Sequence, residues 1–138
     1  MAGTPTERLV ELLRDHRLLL FAGAGLSKWL QYPLWLEYLE ALEGELGRNI
    51  DPRPASELDW AEEIKTSFTS VGRINDYYGH IERTFGPNGR EPYDDLHMSL
   101  VRMGFRGLVT TNFDPALANA MSVENIGYRQ GPCEMLDL

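Results

Sequence analysis

Apolar residues along the chain fall into helical stripes broken by two short runs of strand character. Leu9, Val10, Leu12 and Leu13 give one helical face, and Thr4-Pro5-Thr6-Glu7 ahead of them has the form of a helix start with a capping box. The next run, "RLLLFAGAG", is wholly apolar and ends in glycines, which suits a buried parallel strand. Pro33 is placed to open a helix with Trp35, Leu39, Leu42 and Leu46 on one face, closed by Gly47. Ser56 is placed to cap a third helix bearing Leu58, Ala61, Ile64 and Phe68. Ile74, Tyr77, Tyr78, Ile81 and Phe85 mark a fourth, broken by "GPNG". Tyr93, Leu96, Leu100 and Val101 mark a fifth, closed by Gly104. "GLVTTNFDP" then returns to strand chemistry, with Asp114 and Pro115 opening a last helix.

This order predicts an α/β fold: a Rossmann-like parallel sheet with a helical insertion between the first strand and the TTNFD strand. One further short strand is expected at 126–129. Two or three strands leave sheet edges uncovered. The chain is therefore expected to be the first part of a larger domain, or to complete its sheet by association with itself or a partner protein.

Composition narrows the function. The chain has 138 residues, enough for one core, and 21 acids against 13 bases give a formal net charge of -8. That balance disfavours direct binding to nucleic acid, which needs a basic face. A single cysteine, Cys133, excludes an internal disulfide and a zinc-cysteine cluster and fits a reducing cytoplasm. No apolar run approaches membrane-spanning length, and the start lacks a signal-peptide pattern.

Two strand ends carry candidate chemistry. In "FAGAGLS" the glycines let backbone turn sharply and approach a phosphate without an intervening side chain. The pattern is not the usual dinucleotide fingerprint: the third glycine position is Lys28, and the acidic residue expected further on would be Glu43 or Glu45, inside a predicted helix. No Walker lysine follows. On spacing alone the glycines serve a tight turn equally well. The second strand end offers Thr110, Thr111, Asn112 and Asp114, where open α/β sheets bind ligands. Turn and cap chemistry accounts for the same residues.

Taken together, "GAGLS" (Gly23 to Ser27) and "TTNFD" (Thr110 to Asp114) resemble the sirtuin-like family, in particular its bacterial antiphage-defence branch. The stretch Tyr93-Asp94-Asp95-Leu96-His97 before the second motif also looks like that branch. The resemblance runs from Leu18 to about Met121 and would make residues 1–138 a sirtuin-like nucleotide-binding domain, the N-terminal part of the full family domain. It implies an NAD-binding site in which the bond between nicotinamide and ribose is broken. It places Gly23, Ala24, Gly25 and Ser27 against phosphates and ribose, with Thr111 beside them. It makes Asn112 the catalytic group beside the nicotinamide-bearing ribose. It gives Asp114 a role in supporting the loop or bonding the cofactor amide.

Two departures shape the functional expectation. The four zinc cysteines of protein deacylases are absent, which disfavours a protein-acyl substrate and any zinc. The family's general-base histidine lies downstream of TTNFD, whereas the three histidines here, His16, His80 and His97, all precede it. His97 is read as a packed, hydrogen-bonded residue. The leading expectation is a cytoplasmic NAD+ glycohydrolase-type domain. The alternatives are a non-catalytic module binding NAD or ADP-ribose, and a helical interaction domain with no ligand.

Overall fold

The first helix begins as its sequence spells. Thr4 Oγ1 accepts from the Glu7 amide (3.3 Å), and the Glu7 carboxylate accepts from the Thr4 amide (2.7 Å). This capping box opens α1 (Pro5–Arg14). The computed structural model describes residues 4–127. The His16 ring donates from Nδ1 to the Gly104 carbonyl (2.7 Å), tying the exit of α1 to the approach to the second strand.

The two runs of strand character pair with each other. β1 (Leu19–Ala22) and β2 (Gly107–Thr110) run parallel, Leu19 opposite Gly107 and Ala22 opposite Thr110. Everything between them forms the insertion: a 3-10 helix (Ala24–Leu30), α2 (Trp35–Leu46), α3 (Glu57–Ser70), α4 (Ile74–Phe85) and α5 (Asp95–Arg102). α6 (Ala116–Val123) follows β2. This is an α/β, Rossmann-like arrangement with a two-stranded parallel sheet among the described residues.

The core divides by layer. Tyr38, Leu39, Leu42, Trp60, Ile64 and Phe68 lock α2, α3 and α4 together. Ala22, Met98, Val101, Leu117, Ala120 and Met121 pack α5 and α6 on one face of the sheet. Phe85 packs against both the helical core and the cluster of Leu30, Tyr32 and Ala116, so it joins the layers. Strand periodicity puts Leu19, Phe21 and Val109 on the opposite face, which is bare among the described residues; Phe21 is 69% exposed.

Several boundaries differ from expectation for identifiable reasons. From Ala24 the glycine segment itself winds into the 3-10 helix, with Gly23 as its N-cap and Gly25 inside it, which the apolar pattern does not reveal. α2 starts at Trp35 rather than Pro33, because the Glu37 carboxylate reaches back to the Leu34 amide (2.8 Å) and fixes the first turn there. Gly47 ends it in the left-handed region, φ 78°, as expected. Ser56 does cap α3, but the buried stripe is Trp60, Ile64, Ser67 and Phe68. Leu58 falls off that stripe and is 74% exposed. On α5 the buried positions are His97, Met98 and Val101, and Leu96 faces outward. Ile126 and Gly127 carry no strand, and the rest of the strand expected at 126–129 lies outside the described residues.

Asp94 caps α5 through the His97 amide (3.0 Å) and also meets His97 Nδ1 (2.7 Å). Burial alone would raise its carboxyl; the His97 amide and ring, with the Leu96 amide, outweigh this and hold it below its ordinary value. A lowered carboxyl contributes stability that is complete above its unfolded pKa and is lost as pH falls through the folded one. Resistance to urea is therefore expected to decline below about pH 4. Asp94→Asn should flatten that part of the profile.

Candidate nucleotide site at the strand ends

The carboxyl ends of β1 and β2 are latched by side chains from the TTNFD segment. Thr110 Oγ1 donates to the Ala22 carbonyl (2.9 Å) and accepts from the Asn112 amide (3.0 Å). Asn112 Nδ2 donates to the Gly23 carbonyl (3.1 Å) and Ser27 Oγ (3.4 Å). A backbone carbonyl only accepts, so the amide nitrogen is the end that faces the glycine loop. Asn112 Oδ1 then has no partner among the described residues.

Ser27 is 1% exposed and donates its hydroxyl proton to Asp114 Oδ1 (2.9 Å). The same oxygen accepts from the Ala116 amide (3.1 Å), so Asp114 ties the first residue of α6 to the glycine segment. The N-cap is Pro115, one residue later than the Asp114 cap expected from sequence, because this bond turns the chain two residues on. Burial, then the Asp114 charge, pushes the nearby Tyr32 phenol upward, and Arg90 opposes this.

A cleft of about 370 Å³ opens beside this network. Thr111, Asn112 and Asp114 form its polar side, with Ala24 next to them. Trp35, Tyr38, Phe85 and Phe113 form an aromatic wall, with Pro33 and Leu58 beside them. Phe85 stands 5.0 Å from Tyr38 and 5.3 Å from Phe113, ring centre to ring centre. Burial pushes the Tyr38 phenol well up, so it remains protonated. Such a cleft suits a flat, partly apolar group with a few hydrogen-bonding positions at one end.

The residues singled out by sequence thus converge. Gly23, Ala24, Ser27, Thr111, Asn112 and Asp114 meet at the strand ends, while Gly25 lies on the outward side of the 3-10 helix. Its backbone is not in the left-handed region, and a Cβ added at Gly25 would meet nothing within 4 Å. The fold does not require this glycine. Gly25→Val is accordingly expected to leave the melting temperature nearly unchanged and to weaken nucleotide binding, which calorimetry with ADP-ribose would read; a collapse in melting temperature would contradict it.

The acids considered for a ribose are used elsewhere. Glu43 holds the Ile50 amide and Arg53 (2.8 Å), and Glu45 holds Arg83 (3.2 Å). None of the three histidines lines the cleft. His97 is fully buried on Asp94, as the sequence reading favoured, and burial lowers His80. The aromatic wall escaped sequence reasoning; its signals were "YPLW" after the glycines and the phenylalanine inside TTNFD. Among the described residues no group of three or more His, Cys, Asp or Glu side chains is placed to hold a metal, and no helix is long and apolar enough to cross a membrane.

Fold and site define the class: an α/β protein with a cleft at the carboxyl ends of parallel strands, the usual ligand position of such sheets. The chain is 30% identical over 125 residues to the NAD(+) hydrolase ThsA of Acinetobacter baumannii (strain 532279). The match takes in 86% of this chain and 23% of the relative's length. No protein-family model matches.

Proposed function

We propose that this chain supplies the NAD-binding part of a sirtuin-like NAD+ hydrolase, with the cleft receiving the nicotinamide-ribose end of the cofactor. The observation that carries the reading is Asn112: the residue lines the cleft, its amide nitrogen bonds the Gly23 carbonyl and Ser27 Oγ, and its carbonyl oxygen has no partner among the described residues. Breaking the nicotinamide-ribose bond develops positive charge on the sugar. A neutral oxygen positioned there orients a sugar hydroxyl or a water without adding a charge of its own. The similarity to an NAD(+) hydrolase supports the same cofactor. Gly23, Ala24, Gly25, Ser27, Thr111 and Asp114 complete the proposed binding set, and antiphage defence is the proposed setting.

Incubating purified protein with NAD+ and following free nicotinamide tests this. Release supports the hydrolase. ADP-ribose binding without release would favour a regulatory module, the reading to which the lack of a histidine at the cleft points. Neither binding nor release would overturn both. The bare sheet face of Leu19, Phe21 and Val109 belongs to the same proposal as a surface for self-association or a partner protein, and sedimentation at rising concentration reads it.

A further inference from the structure

We propose that Lys28 is the residue that answers the phosphate charge of the nucleotide, and that Glu37 holds it in reserve until nucleotide arrives. The inference rests on the nucleotide reading above and names a partner for the pyrophosphate that the cleft itself lacks.

A 3-10 helix repeats every three residues. Ala24, Ser27 and Leu30 form its inward stripe, half-buried to buried. Gly25 and Lys28 therefore share a second stripe, and both are exposed. The space over Gly25 is open. An anion lying against that glycine backbone has Lys28 as its neighbour on the same stripe.

Charge makes the assignment more specific. No Lys, Arg or His lines the cleft, whereas Asp114 does. Lys28 is the only basic residue between Arg17 and Arg48, in a chain of net charge -8. A dianionic pyrophosphate at the glycine segment has no other cation from this part of the sequence.

The present partner of Lys28 is built to release it. Nζ lies 2.6 and 2.7 Å from the two oxygens of Glu37. Both side chains are about half exposed, at 47% and 50%, and exposed pairs exchange readily. Glu37 also accepts from the Leu34 amide (2.8 Å), so it keeps a hydrogen bond when the lysine leaves. The flexible lysine stem permits the swing.

The test is calorimetry of the full chain with ADP-ribose at two salt concentrations. Lys28→Gln is expected to weaken binding about tenfold and to reduce the salt dependence. Lys28→Arg should recover most of the loss. Glu37→Gln should move affinity the other way, tightening it several-fold, because it frees the lysine. If the pair only staples the 3-10 helix to α2, both Gln variants will weaken binding and lower the melting temperature together, which overturns the proposal. Wild-type affinity in Lys28→Gln also overturns it while leaving the nucleotide reading intact. Failure of the wild-type protein to bind ADP-ribose removes the nucleotide reading and this inference with it.

Discussion

Under the proposed hydrolase reading, Asn112→Ala is expected to slow NAD+ cleavage by on the order of a hundredfold while ADP-ribose affinity stays close to that of the parent. Asn112 makes its ground-state bonds to the protein itself, through Nδ2 to Gly23 and Ser27. Its free Oδ1 is the part that would meet the reacting sugar or water. Removing it deletes an interaction that matters most as charge develops on the sugar, so kcat falls and KM moves little. Ser27 keeps its bond to Asp114 in the variant, and Thr110 still latches the strands, so the fold should hold. Nicotinamide release measured beside ADP-ribose calorimetry separates the outcomes. Loss of binding with no change in the chemical step would make Asn112 a ligand-holding residue. No effect on either would reduce it to a turn residue.

Phe68→Ala should be among the most destabilising single changes in the helical layer. The ring is fully buried, meets Tyr77 edge-on at 5.8 Å, and has the Arg73 guanidinium 5.7 Å from its centre. Truncation leaves a cavity enclosed by three helices that are already locked by Leu39, Leu42, Trp60 and Ile64. The expected loss is about 3–5 kcal/mol. Against a total of about 5–15 kcal/mol for an ordinary domain, that is a large share. Urea unfolding followed by circular dichroism measures it. A loss below about 1 kcal/mol would show that the layer relaxes to fill the space.

How much was legible in the sequence follows from the range of each interaction. The α1 capping box, the Gly47 stop and the Ser56 cap are local, set by residues three or four apart, and each formed as read. The strands at Leu19–Ala22 and Gly107–Thr110 were marked by unbroken apolar character and by β-branching, and both are present. The 3-10 helix was not legible, since its period of three hides within "GAGLSKWL". Leu58 and Leu96 were misplaced because a sparse apolar stripe fits two helical phases, and the phase chosen is the one that buries Trp60 on α3 and His97 on α5. In the candidate site, the meeting of Gly23, Ser27, Asn112 and Asp114 was anticipated by motif order. The Ser27–Asp114 bond and the aromatic wall were not, because they join segments far apart in the chain.

The residues joined by the Ser27–Asp114 bond stand 87 positions apart in sequence. The helices between them contact one another mainly through near neighbours, α2 with α3 and α3 with α4. Local contacts of that kind form early, whereas pairing β1 with β2 must first close the whole intervening loop. Closing a long loop costs only logarithmically more than closing a short one, so the separation is a burden on folding rate more than on final stability. The helical layer should therefore be able to acquire structure while the cleft is still absent, and the cleft's chemistry switches on only when the chain has come back to its own beginning. Local opening should run in the reverse order, with the Thr110 and Asn112 amides exchanging with solvent before those of Leu42 and Ile64.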